Sequence, residues 1–193
     1  VGVSEKLVPY LPGPRVVREG NGYALKMPPK SIGKMAPFFG NFMMGVRAYA
    51  YIRHYGGAGL KDVCHMAVLN ANYIHSRLKH AYKSAFSGRF MHECVFTATP
   101  QAQLGTHAID IAKALLDYGY HAPTIYFPLT VKESIMIEPT ETESKETIDG
   151  FCDAMLEIAE RVLKDGHAFE NAPSTTPVGR LDEVKAAREL NCG

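Results

Sequence analysis

The 193-residue chain predicts an α+β fold, and three observations carry that reading. Residues 92–97 alternate polar and apolar as a strand does. Two further runs of β-formers, Thr124 to Leu129 and Ser134 to Ile137, each follow or meet a proline. Around these runs, apolar residues recur every three or four positions, as one face of a helix requires. Strand, helix, two strands, helix is the order of a small antiparallel sheet with helices packed on one face.

Taken from the start, residues 1–40 hold many of the prolines and glycines, including Pro9 to Pro14 and Met27 to Lys30, and only short apolar pieces. They predict an extended segment with one hairpin around Asn21-Gly22, wrapped over something larger. From Asn41 to about Tyr55 the recurrence of Phe42, Val46, Tyr49, Ala50 and Ile52 predicts a helix that Gly56-Gly57 stops. A second, longer helix follows over Gly59 to Tyr82, with Leu60, Val63, Cys64, Ala67, Val68, Ala71, Ile74 and Leu78 on one stripe, long enough to bridge two domains.

After the strand at His92 to Thr97, Thr106 reads as a hydroxyl cap for a helix that buries Ile109, Ala112, Leu115 and Leu116 and ends at Gly119 in the left-handed conformation. The clearest helix runs through Ile148, Phe151, Cys152, Met155, Ile158, Ala159, Val162 and Leu163 and ends at Gly166. A proline-punctuated tail carries one short helix over about Leu181 to Leu190.

Composition excludes several functions. With 21 basic and 20 acidic residues the net charge is +1, which leaves no electrostatic footprint for nucleic acid or an anionic membrane. No apolar run approaches the roughly 20 residues that span a bilayer, and no signal segment opens the chain, so a cytoplasmic location is expected. Cys64, Cys94 and Cys152 sit in apolar patterns and read as reduced core thiols, with Cys192 exposed in the tail. The eight histidines are scattered without metal-ligand spacing, so no metal is expected. The first residue is Val1, which reads as a piece of a longer polypeptide.

Candidate functional residues gather at the corners between Gly119 and Glu146, where loops held by a scaffold do chemistry. His121 and Thr124 flank Pro123, and Glu138-Pro139-Thr140 is a fixed turn that frames a cleft. The carboxylates Glu138, Glu141, Glu143 and Glu146 lie ahead of a helix, where they either complement its positive end, with Thr140 and Glu143 read as a capping box, or bind a cation or a partner's arginine. Gly40-Asn41 opens a helix whose backbone N–H groups suit a phosphate, with Arg47 one to two turns on. Lys30 and Lys34 are the lysines to weigh as Schiff-base formers, since a desolvated amine attacks a carbonyl cofactor.

The order of several motifs resembles a known family. H-A-P-T at His121 to Thr124, E-P-T-E-T-E-S-K-E at Glu138 to Glu146, L-N-A-N-Y at Leu69 to Tyr73, L-L-D-Y-G-Y at Leu115 to Tyr120 and F-C-D-A-M at Phe151 to Met155 are similar to the C-terminal region of the glycine cleavage system P-protein. Gly40 to Phe42 and the tail Asn171 to Val184 resemble the second subunit of its bacterial split form. The resemblance implies the C-terminal part of a type-I-fold pyridoxal phosphate enzyme. Residues 1–58 are then a remnant of the large cofactor-binding domain, and residues 59–193 a bridging helix and small C-terminal domain.

The resemblance also implies decarboxylation of glycine on pyridoxal phosphate and transfer of an aminomethyl group to the lipoyl group of the H-protein, with a first subunit completing the site. It places His121, Thr124, Glu138 and Thr140 on the substrate channel and Gly40 with Asn41 near the cofactor phosphate. The family's Schiff-base lysine lies in a His-Lys-Thr motif that this sequence does not contain, which argues against Lys30 and Lys34 and predicts no covalently bound cofactor and no activity for the chain alone. A non-catalytic docking module for the partner subunit or the carrier protein is the alternative. Self-association through apolar surface is expected either way.

Overall fold

The computed structural model describes residues 2–35 and 40–190, which fall into two compact units, Val1–Gly56 and Gly57–Gly193. In the first, a 3-10 turn at Glu5–Tyr10 precedes a two-stranded antiparallel hairpin, β1 (Arg15–Glu19) and β2 (Gly22–Lys26), with Val17 opposite Ala24. Gly20 takes φ 60 at the turn, a left-handed value that glycine adopts without cost, so the hairpin falls where Asn21-Gly22 predicts it. Lys26 and Glu19 close the hairpin with an ion pair at 2.5 Å.

Helical hydrogen bonding then runs from Phe42 to Leu78 as α1, but Gly56 stands outside helical geometry at φ 62, ψ −175. The element is therefore two helices, 42–55 in the first unit and 57–78 in the second, and the break falls at the predicted glycine pair. None of the described residues of the first unit is buried, and Tyr23 and Phe42 are more than three-quarters exposed.

The second unit holds the core. Its sheet has the order β3 (Lys83–Ser84), β4 (Cys94–Thr97), β6 (Ser134–Ile137), β5 (Thr124–Ile125), antiparallel throughout, with Phe96 opposite Ile135 and Cys94 opposite Ile137. The side chains of those four residues share one face. On that face pack the second half of α1 through Ile74 and Leu78, α3 (Ala108–Asp117) through Ile111 and Leu115, and α4 (Lys145–Lys164) through Met155, Ile158 and Val162. A short α2 (Thr99–Ala102) follows β4, and α5 (Glu183–Arg188) lies in the tail with no buried residue. The predicted α+β layer with helices on one face is what forms. Tyr82, fully buried, ties the layers by donating its hydroxyl to the Met155 carbonyl at 2.9 Å. Desolvation pushes the Cys94 thiol up to about 12 and the Cys152 thiol up to about 11, so both stay protonated at neutral pH.

Several local expectations are corrected. The cap of α3 is not Thr106, whose hydroxyl donates instead to the Gly166 carbonyl at 2.6 Å. The orphan N–H groups of α3 go to carboxylates: His107 N–H to Asp110 at 2.8 Å and Ala108 N–H to Glu133 at 2.8 Å. The strand expected from Thr124 to Leu129 ends at Ile125, because Tyr126 turns at φ 58. The capping pair Thr140 and Glu143 does not form. Ser144 caps α4 by accepting from the Thr147 N–H at 3.1 Å, and the Thr140 hydroxyl bonds Thr142 at 2.7 Å. Cys64 is exposed rather than in the core, and Cys192 lies outside the described residues. Replacing the α4 cap, Ser144→Ala, is expected to cost about 1 kcal/mol in chemical denaturation; an unchanged midpoint would deny it that role.

Candidate functional site

Two chain corners of the second unit meet beside α4. The first follows α3. Tyr118 and Tyr120 both donate their N–H to the Leu115 carbonyl, at 3.1 and 3.0 Å, while Gly119 turns at φ 80, and this left-handed exit aims the chain into His121-Ala122-Pro123. Tyr120 is held by α4: its ring meets Phe151 edge-on at 5.5 Å, and its hydroxyl lies 2.4 Å from where a Cβ on Gly150 would stand, so a larger residue there would displace the Tyr120 hydroxyl.

The second corner follows β6. Glu138-Pro139 turns the chain away from the sheet, and Asn70 of α1, nearly buried, donates to the Thr140 carbonyl at 2.9 Å and fixes the turn. Between the corners lies a cleft of about 240 Å³. Its floor is apolar, made by Ile74, Ile137, Ile148 and Phe151, and its polar groups are His121, Glu138, Glu143 and Thr147.

The Glu138-Pro139 turn is also one wall of a second hollow, of about 340 Å³, lined on its far side by Val63, Cys64, Val68 and Met91 of the same unit, with Thr140 and His92 at its edge. Glu138 lies 3.9 Å from the His92 ring nitrogen, close enough for an ion pair when that ring is protonated. The Glu146 carboxyl, in the first turn of α4, is held below its ordinary value by its own backbone N–H and by the Ser144 hydroxyl, so the positive end of α4 is met by a carboxylate. Imidazole, two carboxylates and a hydroxyl around an apolar floor can grip the cationic end of a small substrate and hold or move a proton at its polar end.

The predicted site residues divide between these places. His121 and Glu138 come together in the cleft. Thr124 sits on the edge strand β5, exposed and opposite Met136, and Thr140 lines the second hollow while its carbonyl serves Asn70. Gly40 and Asn41 belong to the first unit. Gly40 has φ 85, and the Asn41 side chain already accepts the Met44 N–H at 3.3 Å, one of the groups a phosphate would use. Arg47 reaches the Met44 sulfur at 3.6 Å. Lys30 and Lys34 are exposed, Lys30 with its ammonium 5.5 Å from the Tyr10 ring centre.

Sequence reasoning missed Asn70, Tyr120, Thr147 and Phe151. The spacing of Thr147, Ile148 and Phe151 puts them on one face of a helix, a signal that reads as core until the facing loop is known. Among the described residues no group of three or more His, Cys, Asp or Glu side chains is placed to hold a metal, and no helix is long and apolar enough to cross a membrane.

Comparison with known proteins gives one answer. The family described as glycine dehydrogenase, C-terminal domain, matches residues 63–174, more than half of the chain. A probable glycine dehydrogenase (decarboxylating) subunit 2 from Exiguobacterium sibiricum is 56% identical over 190 residues, covering 98% of this chain and 39% of that protein. Proteins of the same name from Bacillus cereus and Staphylococcus epidermidis are 52% and 53% identical with similar coverage.

A crystal structure titled glycine decarboxylase (P-protein) of the glycine cleavage system, in inhibitor-bound form, superposes with a TM-score of 0.64 over 80% of this chain and 37% of that one, at 18% identity, and so shares the fold. The chain spans about two-fifths of the length of these relatives. The resemblance first carried by the 121–124 and 138–146 motifs thus extends along nearly the whole sequence, and the chain belongs to the glycine dehydrogenase C-terminal-domain family.

Proposed function

We propose that this chain supplies one wall of the substrate channel of a pyridoxal phosphate-dependent glycine dehydrogenase (decarboxylating), the remainder of the site coming from the longer polypeptide and a first subunit. The observation that carries the reading is the convergence of His121 and Glu138, from two separate corners, on one apolar-floored cleft. In this reading residues 1–58 belong to the large cofactor-binding domain, and the lipoyl arm of an H-protein is the acceptor. Membership of the family and the names of its relatives support it.

The residues of this chain do not by themselves fit a lysine-held cofactor: Lys30 and Lys34 are solvated, and neither the cleft nor the second hollow is lined by a lysine. What the chain contributes is therefore positioning. The floor of Ile74, Ile137, Ile148 and Phe151 excludes water, Glu138 and Glu143 attract an ammonium group, and the His121 imidazole holds a proton at the channel lip. Gly40 and Asn41 are proposed to approach the cofactor phosphate from the first unit, and Thr124 and Thr140 to line the outer channel.

The test uses the longer polypeptide that carries this segment, assembled with its partner subunit. Glu138→Gln and His121→Ala are expected to lower kcat/KM for glycine by on the order of 10–100-fold, with the melting temperature unmoved. Full activity in both variants would remove the cleft from the channel. The isolated chain is expected to give no stoichiometric borohydride-trapped adduct with pyridoxal phosphate, and a mapped adduct at Lys30 or Lys34 would overturn the division of labour. The docking-module reading keeps one observation in its favour, the mostly exposed apolar side chains of the first unit, such as Tyr23, Phe42 and Tyr49; for it, lipoylated H-protein would bind the chain without cofactor.

A further inference from the structure

The tail motif from Asn171 to Val184 takes no part in the cleft, yet it is held more closely than a terminal segment needs. At the C-terminal end of α3 the Asp117 carboxylate accepts from both residues of Ser174-Thr175: the Ser174 N–H at 2.8 and 2.9 Å and its hydroxyl at 3.1 Å, and the Thr175 N–H and hydroxyl, each at 2.7 Å. Against its own desolvation, these donors hold the Asp117 carboxyl below the ordinary carboxylate value.

Near the N-terminal end of the same helix Arg180 donates to Asp110 at 2.5 Å and, with its other nitrogen, to the Ala172 carbonyl at 3.2 Å. Asp110 is at the same time the acceptor for the His107 N–H that starts α3. The tail thus lies along the length of α3, tied by carboxylates near both ends.

Where the tail turns into α5, Glu183 borders a hollow of about 340 Å³ whose other walls include Ile109, Ala112 and Leu116 of α3 and the segment Ala122-Pro123 with Ile125. Ala122 and Pro123 also line the cleft, on their opposite side. One short stretch of backbone therefore separates the tail's hollow from the candidate site, and it follows directly on the C-terminal exit of α3.

We propose that residues 171–183 act as a positioning strap, in which Asp117 and Asp110 anchor the tail along α3 and so fix the Ala122-Pro123 lip against the cleft. Asp117 and Arg180 are then positioning residues that never touch substrate. The functional weight of the strap rests on the channel reading above, but its test does not.

The experiment is 15N relaxation on the full chain, comparing wild type with Asp117→Ala and, as an independent release of the other anchor, Arg180→Gln. With either anchor removed, the backbone order parameters of His121 and Ala122 are expected to fall from a rigid ~0.85 toward ~0.6 or lower, while the amides of β4 stay at wild-type values. Loosening confined to residues 174–180, with His121 and Ala122 unmoved, would overturn the strap. Equal loosening of β4 would also overturn it, by making the tail one more piece of the core. Neither result touches catalytic activity, so failure of the channel proposal is seen separately. Ser174→Ala with Thr175→Ala, which removes two hydroxyl donors and leaves both carboxylates, is expected to give the same pattern at smaller amplitude if Asp117→Ala does not fold.

Discussion

Gly166→Ala is expected to destabilise the second unit by about 3 kcal/mol or more. A methyl group at that position would stand 1.7 Å from the Leu104 carbonyl oxygen and 2.7 Å from its carbon, both backbone atoms with no rotamer to change. Gly166 follows Asp165, the C-cap of α4, and was read from sequence as a helix terminator; its φ is not positive, and its purpose is close approach. Across the contact Gly105, at φ 114, is close as well but less tight, with the Gly166 carbonyl 3.1 Å from where its own Cβ would stand. The Thr106 hydroxyl bond to the Gly166 carbonyl seals the junction. A loss of that size lowers the melting temperature by roughly 10 °C, visible in thermal circular dichroism. Gly57→Ala is the control, since a Cβ there meets nothing within 4 Å and helix propensity favours alanine by about 1 kcal/mol. A Gly166→Ala protein melting within 2 °C of its parent would show that the 103–106 turn yields.

The second large effect separates the two units. Residues 57–190 carry every buried side chain among the described residues, and the helix–sheet core closes without the first unit. The first unit offers a two-stranded hairpin and a 14-residue helix, structures that are marginal in water without packing. Amide exchange over 42–55 is therefore expected to be at least ~10³-fold faster than over 145–164, read by mass spectrometry on the intact chain. Equal protection would mean that the helix is covered, by self-association if light scattering rises with concentration. Restored protection when the chain is part of the longer polypeptide would agree with the large-domain assignment proposed for residues 1–58.

The regular elements were legible because their signals are local. The four-residue strand Ser134–Ile137, the apolar stripe of α4, the break at Gly56 and the left-handed exit at Gly119 follow from side-chain period and glycine stereochemistry alone. The misreadings share a different cause. Thr106 has the hydroxyl of a cap, but Gly166, 60 residues away, claims it, and the carboxylate that serves α3 in its place, Glu133, arrives from the turn before β6. Thr140 lost its capping part because the helix starts five residues later, at Lys145, and Ser144 is nearer. Cys64 fits an apolar stripe, yet it is exposed, on the second hollow beside the Glu138-Pro139 turn. At the site, the motifs named the corners through His121 and Glu138. The floor was hidden, because Ile148 and Phe151 look like any core-facing pair until the facing loop is known.

The Glu138-Pro139 turn borders two spaces: the cleft leans on one side and the hollow beside His92 on the other. A proline ring and an Asn70 bond hold it, so the two spaces are shaped by one common wall. Any displacement of the turn toward one space is therefore a displacement away from the other. The two spaces share one wall, so a substitution that shifts the Glu138-Pro139 turn changes the shape of both.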